Sequence, residues 1–491
     1  MEAKEALDRI LMPKSIAVIG ASKDPFKWGH MLLSAIMKGG FEGKLHPINP
    51  KETEIEGLTC YPSVKDIPGD VDMAIVVVPA RVVSTIFSDL AEKGVSGAVI
   101  ITSGFGEAGE EGRRLIEQMK ANAGGKVRFI GPNCMGICSS PAKLSALMIP
   151  FLHEKGEVAF VSQSGGYGLQ LYLRASAMGV GISKFVSSGN ESDITGVDYL
   201  RYFAEDPSVK LICMYVEGLK RGREWFDAAR EITRRKPIVV IKVGTTEAGG
   251  KAAATHTGAL SGSDRVYDAA FRQAGVIRAK DAGEMFDFIK GLLYAPLPRG
   301  DRVAMVSNSG GIAVETTDAL IRNGLKVPVL SREAQDEILK VIPSFGNPRN
   351  PVDLTASLNM NSFLKVPDIV LSQPEIDALI TIGLGTSILY TMFPDVAPKD
   401  LGGIYNWISE QLIATYKKYE KPVIVINPAA DTEAEATKIM EEARIPVFTT
   451  PERAADVMNV LYRRKLYLDK AKGEKRGQPS GDKPQSFFSV F

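Results

Sequence analysis

The sequence contains few cysteines, no long apolar run and almost no net charge. Four of its 491 residues are cysteine, and only Cys134 and Cys138 lie close together, so it predicts neither a disulfide framework nor a cysteine-bound metal site. Apolar runs such as 95–101 are too short to span a bilayer, and the charged N-terminus has no secretory signal. Because 59 basic and 58 acidic residues leave a net charge of +1, no general field would hold a nucleic-acid backbone. We therefore expect a cytoplasmic protein that binds neither membranes nor nucleic acids.

The sequence alternates short Val/Ile-rich runs with longer helical patterns. Runs such as 73–78, 97–102 and 211–216 are typical of parallel strands buried on both faces. Helical patterns such as 82–94 and 224–234 lie between the runs, and this alternation predicts an α/β fold with parallel sheets. The length and two polar breaks containing Pro or Gly predict three domains, which are 1–150, 151–297 and 298–469, followed by a mobile tail at 470–491.

Two segments of the sequence recur. VAFVSQSGG at 158–166 returns as VAMVSNSGG at 303–311, and KPIVVI at 236–241 returns as KPVIVI at 421–426. This repeat predicts that the second and third domains are duplicated and share one flavodoxin-like, doubly wound fold. The offsets are 145 and 185 residues, so the third domain should carry an insertion of 40 residues, which we expect within 330–376.

The first candidate site is the turn after the predicted strand 15–19. The segment 20–23, GASK, leads into a helix, and the free N–H groups and dipole of a helix start favour an anion. The second strand ends in NPK at 49–51 instead of the acidic residue that holds an NAD ribose, and the three-glycine fingerprint is missing. Lys51 therefore favours a phosphorylated ribose and argues against a nicotinamide dehydrogenase. A plain strand-to-helix turn is the alternative.

Two further turns share the pattern Ser-x-Ser-Gly-Gly. They lie at 162–166 and 307–311, each after a buried strand and before a predicted helix. Such turns expose backbone N–H groups and hydroxyls to an oxyanion, and glycine lets the ligand approach the backbone closely. Their equivalent places in duplicated domains predict two helix starts that converge on one phosphoryl group. Ordinary helix capping is the alternative.

The third candidate is His256, in the small-residue loop 249–260, GGKAAATHTGAL. One imidazole nitrogen can accept a phosphoryl group while a hydrogen bond holds the other, which suits a nucleophile on a mobile loop. Glu217, at the end of the predicted strand 211–216, is the candidate partner for that second nitrogen. An inert loop histidine and a solvated strand-end carboxylate are the alternatives.

Two loops of the first domain complete the set. The segments 102–109, TSGFGEAG, and 131–136, GPNCMG, follow predicted strands and should lie at the same sheet edge as Lys51. Asn133 is a candidate donor to the carbonyl oxygen of a reacting acyl group. Cys134 has no nearby histidine or cation in the sequence to activate its thiol, so we interpret it as a bystander.

In this order, the motifs resemble the α subunit of ADP-forming acyl-CoA synthetases, relatives of succinyl-CoA synthetase, with acetate–CoA ligase (ADP-forming) as the nearest type. The resemblance runs from residue 5 to residue 465. It implies a Rossmann-like CoA-binding domain followed by two flavodoxin-like domains. It also implies a relay in which acyl-CoA, most simply acetyl-CoA, and phosphate give acyl phosphate and CoA. The acyl phosphate then phosphorylates His256, and the phosphohistidine makes ATP from ADP.

The same resemblance implies roles for the candidate residues, with Glu217 orienting His256. The residues implied to hold the phosphoryl group are Ser162, Gln163, Ser164, Gly165, Gly166, Ser307, Asn308, Ser309, Gly310 and Gly311. Those implied to bind CoA are Gly20, Ala21, Ser22, Lys23, Lys51, Pro79, Ser103, Glu107 and Asn133.

The family places ADP and Mg²⁺ on an ATP-grasp domain, and the three predicted domains leave no room for one. No Gly-x-x-x-x-Gly-Lys-Ser/Thr loop replaces it. The resemblance therefore implies a separate β subunit that binds nucleotide and metal, usually in an α2β2 assembly. A non-catalytic CoA sensor of the same fold would not need His256 and is the alternative function. An AMP-forming ligase would need an adenylating domain, which the sequence does not contain.

Overall fold

The computed structural model describes residues 1–148, 156–251, 263–355, 359–382, 401–428, 430 and 434–476. The chain divides into two compact units, residues Met1–Phe286 and Asp287–Phe491. The first unit contains two large sheets and the second unit contains one. Within the described residues, no helix is both long and apolar enough to cross a membrane.

The first sheet is entirely parallel and has the order β2-β1-β5-β6-β7. Helices α1 to α4 accompany it, and α1 buries Ala6, Leu7, Ile10 and Leu11 at helical spacing. The elements are α1 (Ala3–Leu11), β1 (Ser15–Ile19), α2 (Trp28–Lys38), β2 (Lys44–Ile48), a small hairpin of β3 (Glu54–Ile55) and β4 (Leu58–Thr59), β5 (Met73–Val76), α3 (Ala80–Lys93), β6 (Gly97–Ile100), α4 (Glu110–Ala123) and β7 (Arg128–Ile130).

The second sheet has the order β14-β13-β12-β10-β11-β8-β9. Its parallel part has the flavodoxin-like order, in which the first strand lies between the second and the third. The elements are β8 (Gly136–Ser139), β9 (Leu144–Leu147), β10 (Val158–Ser162), α5 (Gly165–Ala177), β11 (Ile182–Ser187), α6 (Gly196–Glu205), β12 (Leu211–Val216), α7 (Gly222–Ile232), β13 (Ile238–Lys242), α8 (Asp264–Ala274), β14 (Ile277–Ala279) and α9 (Ala282–Tyr294).

The third sheet repeats the flavodoxin-like order as β16-β15-β17-β18-β19. Its elements are β15 (Val303–Ser307), α10 (Gly310–Arg322), α11 (Arg332–Leu339), β16 (Val352–Asp353), α12 (Met360–Ser372), β17 (Ala378–Ile382), α13 (Leu401–Lys418), β18 (Val423–Ile426), α14 (Ala434–Glu442), β19 (Val447–Phe448) and α15 (Pro451–Arg476). The second and third sheets therefore share one strand order, as the repeat predicts.

The predicted α/β fold is confirmed, and the quoted apolar runs form strands whose ends differ from the prediction by at most two residues. The pattern did not predict β8 and β9, which are antiparallel and extend the edge of the second sheet. Residues 136–147, expected within the first domain, therefore contribute to the second sheet. Helix α15 continues to Arg476, so the first residues of the expected tail are helical, and the rest lie outside the described residues.

The expected place of the insertion was wrong. Leu211 begins β12 and Ala378 begins the equivalent β17, an offset of 167 residues. This value lies between the offsets of 145 and 185 at the two recurring segments. The additional residues are therefore divided, with 22 before β17 and 18 between β17 and β18. The two repeated strands bracket both regions, so the sequence repeat alone could not divide them.

A short bridging segment, Ser188–Ile194, joins the two sheets of the first unit. It follows β11 and donates backbone hydrogen bonds from residues 190, 192 and 194 to the carbonyls of Pro132, Gly131 and Phe129, at 2.9, 3.0 and 3.2 Å. Gly189 has φ +56°, and a Cβ there would lie 2.4 Å from the Pro132 oxygen. The close approach therefore requires glycine at this position.

The carboxylate of Asp193 reinforces the bridging segment. Both of its oxygens accept from Arg128 Nε at 2.9 Å, and Oδ2 also accepts from the Phe129 N–H at 2.9 Å. The Arg128 and Asp193 side chains are about four-fifths buried. Hydrogen bonds to a charged group in such a setting are stronger than neutral ones.

Replacing Asp193 with alanine should destabilise the first unit. Loss of the charged hydrogen bonds should lower its free energy of unfolding by about 2 kcal/mol and its melting temperature by about 4–8 °C in calorimetry. The matched control is Glu110→Ala, which breaks the exposed pair with Arg114 and should change the melting temperature by about 1 °C or less. Equal melting temperatures for the two variants would contradict the stabilising role of Asp193.

Candidate functional site

The turn after β1 is tightly packed against its neighbours. Gly20 has φ +96°, and a Cβ there would lie 2.6 Å from the Val77 oxygen, which follows β5. Gly29, near the start of α2, approaches so closely that its Cβ would lie 1.9 Å from the Gly20 oxygen. Both positions therefore require glycine. The turn lies at the carboxyl ends of β1 and β5, where the strand order reverses and open α/β sheets bind ligands.

Asn49 joins this turn to the end of β2. Its Nδ2 donates to the Ala21 oxygen at 2.8 Å, and its Oδ1 accepts from the Lys51 N–H at 3.0 Å. These bonds place Lys51 at the same edge as the turn. Lys23 forms a 2.7 Å ion pair with Glu52, and the hydrogen bond and charge of Glu52 raise the pKa of Lys23.

Glu107 is held as a carboxylate near the end of β6. Its Oε1 accepts from the N–H groups of Gly104 and Phe105 at 2.6 and 3.2 Å, and its Oε2 accepts from Asn190 Nδ2. Burial opposes its ionisation, but the hydrogen bonds outweigh burial and lower the pKa of Glu107. Pro79 immediately precedes α3 at the end of β5.

Asn133 adopts a left-handed backbone conformation with φ +59°, which asparagine tolerates better than most residues. Its N–H donates to the Thr102 oxygen at 2.9 Å, and its Nδ2 donates to Asn190 Oδ1 at 3.3 Å. Asn190, in the bridging segment, is 6% exposed. The buried amide of Asn190 therefore connects Glu107 to Asn133, two residues of the other sheet.

Lys220 and Glu191 support Asn190 from the second sheet. Lys220 Nζ donates to the carbonyl oxygens of Asn190 and Glu191. Glu191 is buried with φ +47°, and its carboxyl group accepts from Ser188 Oγ at 2.9 Å and from the Gly196 N–H at 3.1 Å. Burial raises the pKa of Glu191.

The sequence analysis missed Asn190, Glu191 and Lys220 because it missed β11. Lys184 interrupts the apolar run of this strand, yet it is buried and bonds Asp206 Oδ2 at 2.5 Å. The Ser-Gly-Asn sequence at 188–190 directly after the apolar pair 185–186 was the available signal.

The turn at 162–166 forms the start of α5. Ser162 Oγ donates to the Ser164 oxygen at 2.7 Å, and the helix begins at Gly165. The equivalent turn in the second unit has the same geometry, since Ser307 Oγ donates to the Ser309 oxygen at 2.8 Å before α10 begins. Asn308 and Gly311 lie in this second turn. The predicted convergence of the two turns on one phosphoryl group stays a prediction.

Gln163 connects the first turn to the end of β12. Its Nε2 donates to the Gly218 oxygen at 2.7 Å, and its Oε1 accepts from the N–H groups of Glu217 and Gly218 at 2.6 and 3.0 Å. Glu217 is 7% exposed, which does not fit the solvated carboxylate considered above. His256 lies outside the described residues.

One cleft of about 560 Å³ in the first unit brings several predicted residues together. It joins the predicted CoA residues Ser103 and Asn133 to the predicted phosphate turn. The described lining residues are Trp28, Ile101, Ser103, Asn133, Cys134, Met135, Gln163, Ser164, Gly165, Gly166, Gly189 and Asn190. Gly20, Ser22, Lys51 and Glu217 do not line it.

Cys134 lines this cleft but is chemically quiet. It is 3% exposed, and its Sγ donates to the Ile100 oxygen at 3.2 Å. Burial raises the pKa of its thiol to about 12. The nucleophilic thiolate is therefore scarce at neutral pH, which supports the interpretation as a bystander.

Three protein-family models match successive parts of the chain. They describe a CoA binding domain at residues 14–140, a succinyl-CoA ligase like flavodoxin domain at 155–292 and a ligase-CoA domain at 303–467. The chain is also similar to a solved structure, acetyl-coenzyme A synthetase 1 of Ca. Korarchaeum cryptofilum in complex with phosphate and ADP. The TM-score is 0.84 at 36% identity, over 95% of this chain and 99% of that one.

Relatives from Pyrococcus furiosus match nearly end to end. The α subunits of its acetate–CoA ligases [ADP-forming] II and I are each 38% identical, over 91% and 93% of this chain and 96% and 97% of theirs. Acetate–CoA ligase [ADP-forming] I of Archaeoglobus fulgidus is 35% identical over 93% of this chain, which spans 63% of that longer protein. The chain therefore belongs to the family of α subunits of ADP-forming acetate–CoA ligases.

Proposed function

We propose that this chain carries the acyl-CoA half of an ADP-forming acyl-CoA synthetase, with acetyl-CoA as its simplest substrate. The overall reaction is acyl-CoA, phosphate and ADP to carboxylic acid, CoA and ATP. The observation that carries the proposal is the cleft, in which Ser103 and Asn133 lie beside the start of α5. A thioester and a phosphate bound there would lie side by side, as their reaction requires.

The proposed first step is attack of a phosphate oxygen on the thioester carbonyl, with loss of CoA. The N–H groups at the start of α5 favour the phosphate. The amide of Asn133 donates to the carbonyl oxygen as negative charge develops on it. Asn190 supports this role by holding the Asn133 amide through a bond of 3.3 Å.

The proposed second step passes the phosphoryl group from acyl phosphate to a ring nitrogen of His256, and the carboxylate leaves. Glu217 would accept a hydrogen bond from the other ring nitrogen and so set its tautomer. Gln163 supports this placement, because its amide holds the backbone N–H groups of Glu217 and Gly218. Positioning and charge neutralisation are the main requirements of phosphoryl transfer.

We further propose that a partner β subunit with an ATP-grasp domain binds ADP and Mg²⁺, in an α2β2 assembly in the cytoplasm. The α-subunit relatives from Pyrococcus support a partner, and the longer Archaeoglobus relative is consistent with a further domain. Within this chain we retain the proposed domains 1–150, 151–297 and 298–469. Phosphohistidine would carry the phosphoryl group between the two subunits.

Labelling with radioactive phosphate tests the proposed nucleophile. The chain, alone and with its partner subunit, is incubated with acetyl-CoA and labelled phosphate, and protein-bound label is tested for acid lability and base stability. Wild-type protein should acquire such label, and His256→Asn should reduce it by about 100-fold or more, because asparagine has no ring nitrogen to accept phosphate.

The matched control for this experiment is His153→Asn, the same substitution at a histidine outside the predicted sites. It should label like the wild type. Full labelling of His256→Asn would refute the phosphohistidine. Absence of label from the wild type, both alone and with its partner, would refute the proposed half-reaction.

Replacing Cys134 with alanine should leave labelling within about twofold of the wild type, because a thiol with a pKa of about 12 is about 10⁻⁴ ionised at pH 8. Its thiolate fraction rises tenfold per pH unit, so alkylation of native Cys134 should be slow at pH 8 and accelerate towards pH 10. Mass spectrometry after iodoacetamide measures this, with guanidinium-unfolded chain as the reactive control. A folded Cys134→Ala variant that takes no label would show that the thiol participates.

A further inference from the structure

The cleft combines polar groups with an apolar surface and contains no charged side chain among its described lining residues. Its polar part consists of hydroxyl and amide groups and the start of α5. Its apolar part consists of Trp28, Ile101, Cys134 and Met135. The proposed phosphate and thioester sites account for the polar part, whereas neither requires the apolar surface.

Trp28 is held at the cleft by the turn that follows β1. It is the first residue of α2, and the next residue, Gly29, is the one that packs against the Gly20 oxygen. The Trp28 side chain is nevertheless incompletely covered, since the residue is 44% exposed. An indole that the fold positions rigidly and leaves open beside a cleft can give a ligand apolar contact area.

Met135 is held at the start of α5. Its N–H donates to Ser187 Oγ at 2.8 Å. A Cβ on Gly165 would lie 2.4 Å from Met135 Cγ, so the methionine side chain packs directly on the first residue of α5. Met135 is also two residues after Asn133. The thioether therefore lies between the proposed phosphate turn and the proposed donor to the acyl carbonyl.

We propose that Trp28 and Met135 form the acyl subsite of this cleft, that they limit the length of the acyl group, and that this group is uncharged. The proposal rests on the proposed function. An acyl chain attached to the carbonyl at Asn133 would contact Met135 first and reach towards Trp28 as it lengthens. Apolar contact favours such a chain by about 10-fold or more for each added methylene that fits.

A dicarboxylic acyl group should be rejected at this subsite. Its second carboxylate would lose water in the cleft, and the described lining residues include no lysine, arginine or histidine to pair with it. The nearby phosphate would add repulsion between like charges. The chemical class that fits is therefore a monocarboxylic acid with an uncharged, short chain.

Substrate competition in the assembled enzyme tests the subsite. With ATP and CoA, kcat/KM is measured for acetate, hexanoate, succinate and 4-oxopentanoate, whose terminal acetyl group has nearly the shape of a carboxylate. The wild type should prefer 4-oxopentanoate to succinate by about 100-fold or more. Trp28→Ala and Met135→Ala should each raise the hexanoate-to-acetate ratio by about 10-fold or more, because they lengthen the space for the chain.

The matched controls are Trp407→Ala and Met37→Ala, which truncate exposed side chains of the same two types and should leave the ratio unchanged. Trp28→Phe and Met135→Leu preserve packing and should give intermediate ratios even if the alanine variants fold poorly. Equal use of succinate and 4-oxopentanoate would overturn the uncharged class, and wild-type ratios in the Trp28 and Met135 variants would overturn their role. Wild-type enzyme that uses none of the acids would instead refute the proposed function, and this inference with it.

Discussion

The architecture of the cleft depends on the docking of the bridging segment, Ser188–Ile194, against the backbone after β7. Three backbone hydrogen bonds and the carboxylate of Asp193 join the segment to residues 128–132. Each sheet alone would offer strand ends and helix starts with separate ligand sites. Because the docking brings the carboxyl ends of β6, β7 and β10 together, Asn133 of one sheet and Gly165 of the other line the same space. A reaction between two bound groups requires this kind of juxtaposition.

Docking also imposes strained or costly conformations, which the surrounding hydrogen bonds stabilise. Asn133 and Glu191 both have positive φ, and Glu191 is a buried carboxyl group. Such features persist only where neighbouring groups over-determine them, and they are concentrated at functional sites. Here Ser188, Gly196 and Lys220 satisfy the polar atoms around Glu191 and Asn190. The result is a rigid polar floor beneath an apolar wall, a combination that suits a site where an uncharged acyl group meets an anion.

Local chemistry made much of this site predictable. The turn at Gly20, the two Ser-x-Ser-Gly-Gly turns and the loop containing Asn133 were all found, because strand ends and helix starts depend on neighbouring residues. Asn190 and Lys220 were missed, because Lys184 disguises β11 as a polar segment and its partner Asp206 lies 22 residues away. Trp28 and Met135 were missed for a different reason. A single aromatic or methionine residue has no pattern, and its role depends on which glycine it packs against or which surface it leaves open.

The sequence by itself determined the alternation of strands and helices, the duplicated strand order and the positions of the anion-binding turns, because hydrophobic period and turn chemistry act over a few residues. Only the tertiary structure decided that residues 136–147 complete the second sheet, that the additional residues of the third sheet are divided around β17, and that Asn190 contacts both Glu107 and Asn133. These features depend on pairings between residues more than 40 positions apart. Such pairings are selected by packing of the whole unit, and no local pattern encodes which of the available edges a strand will join.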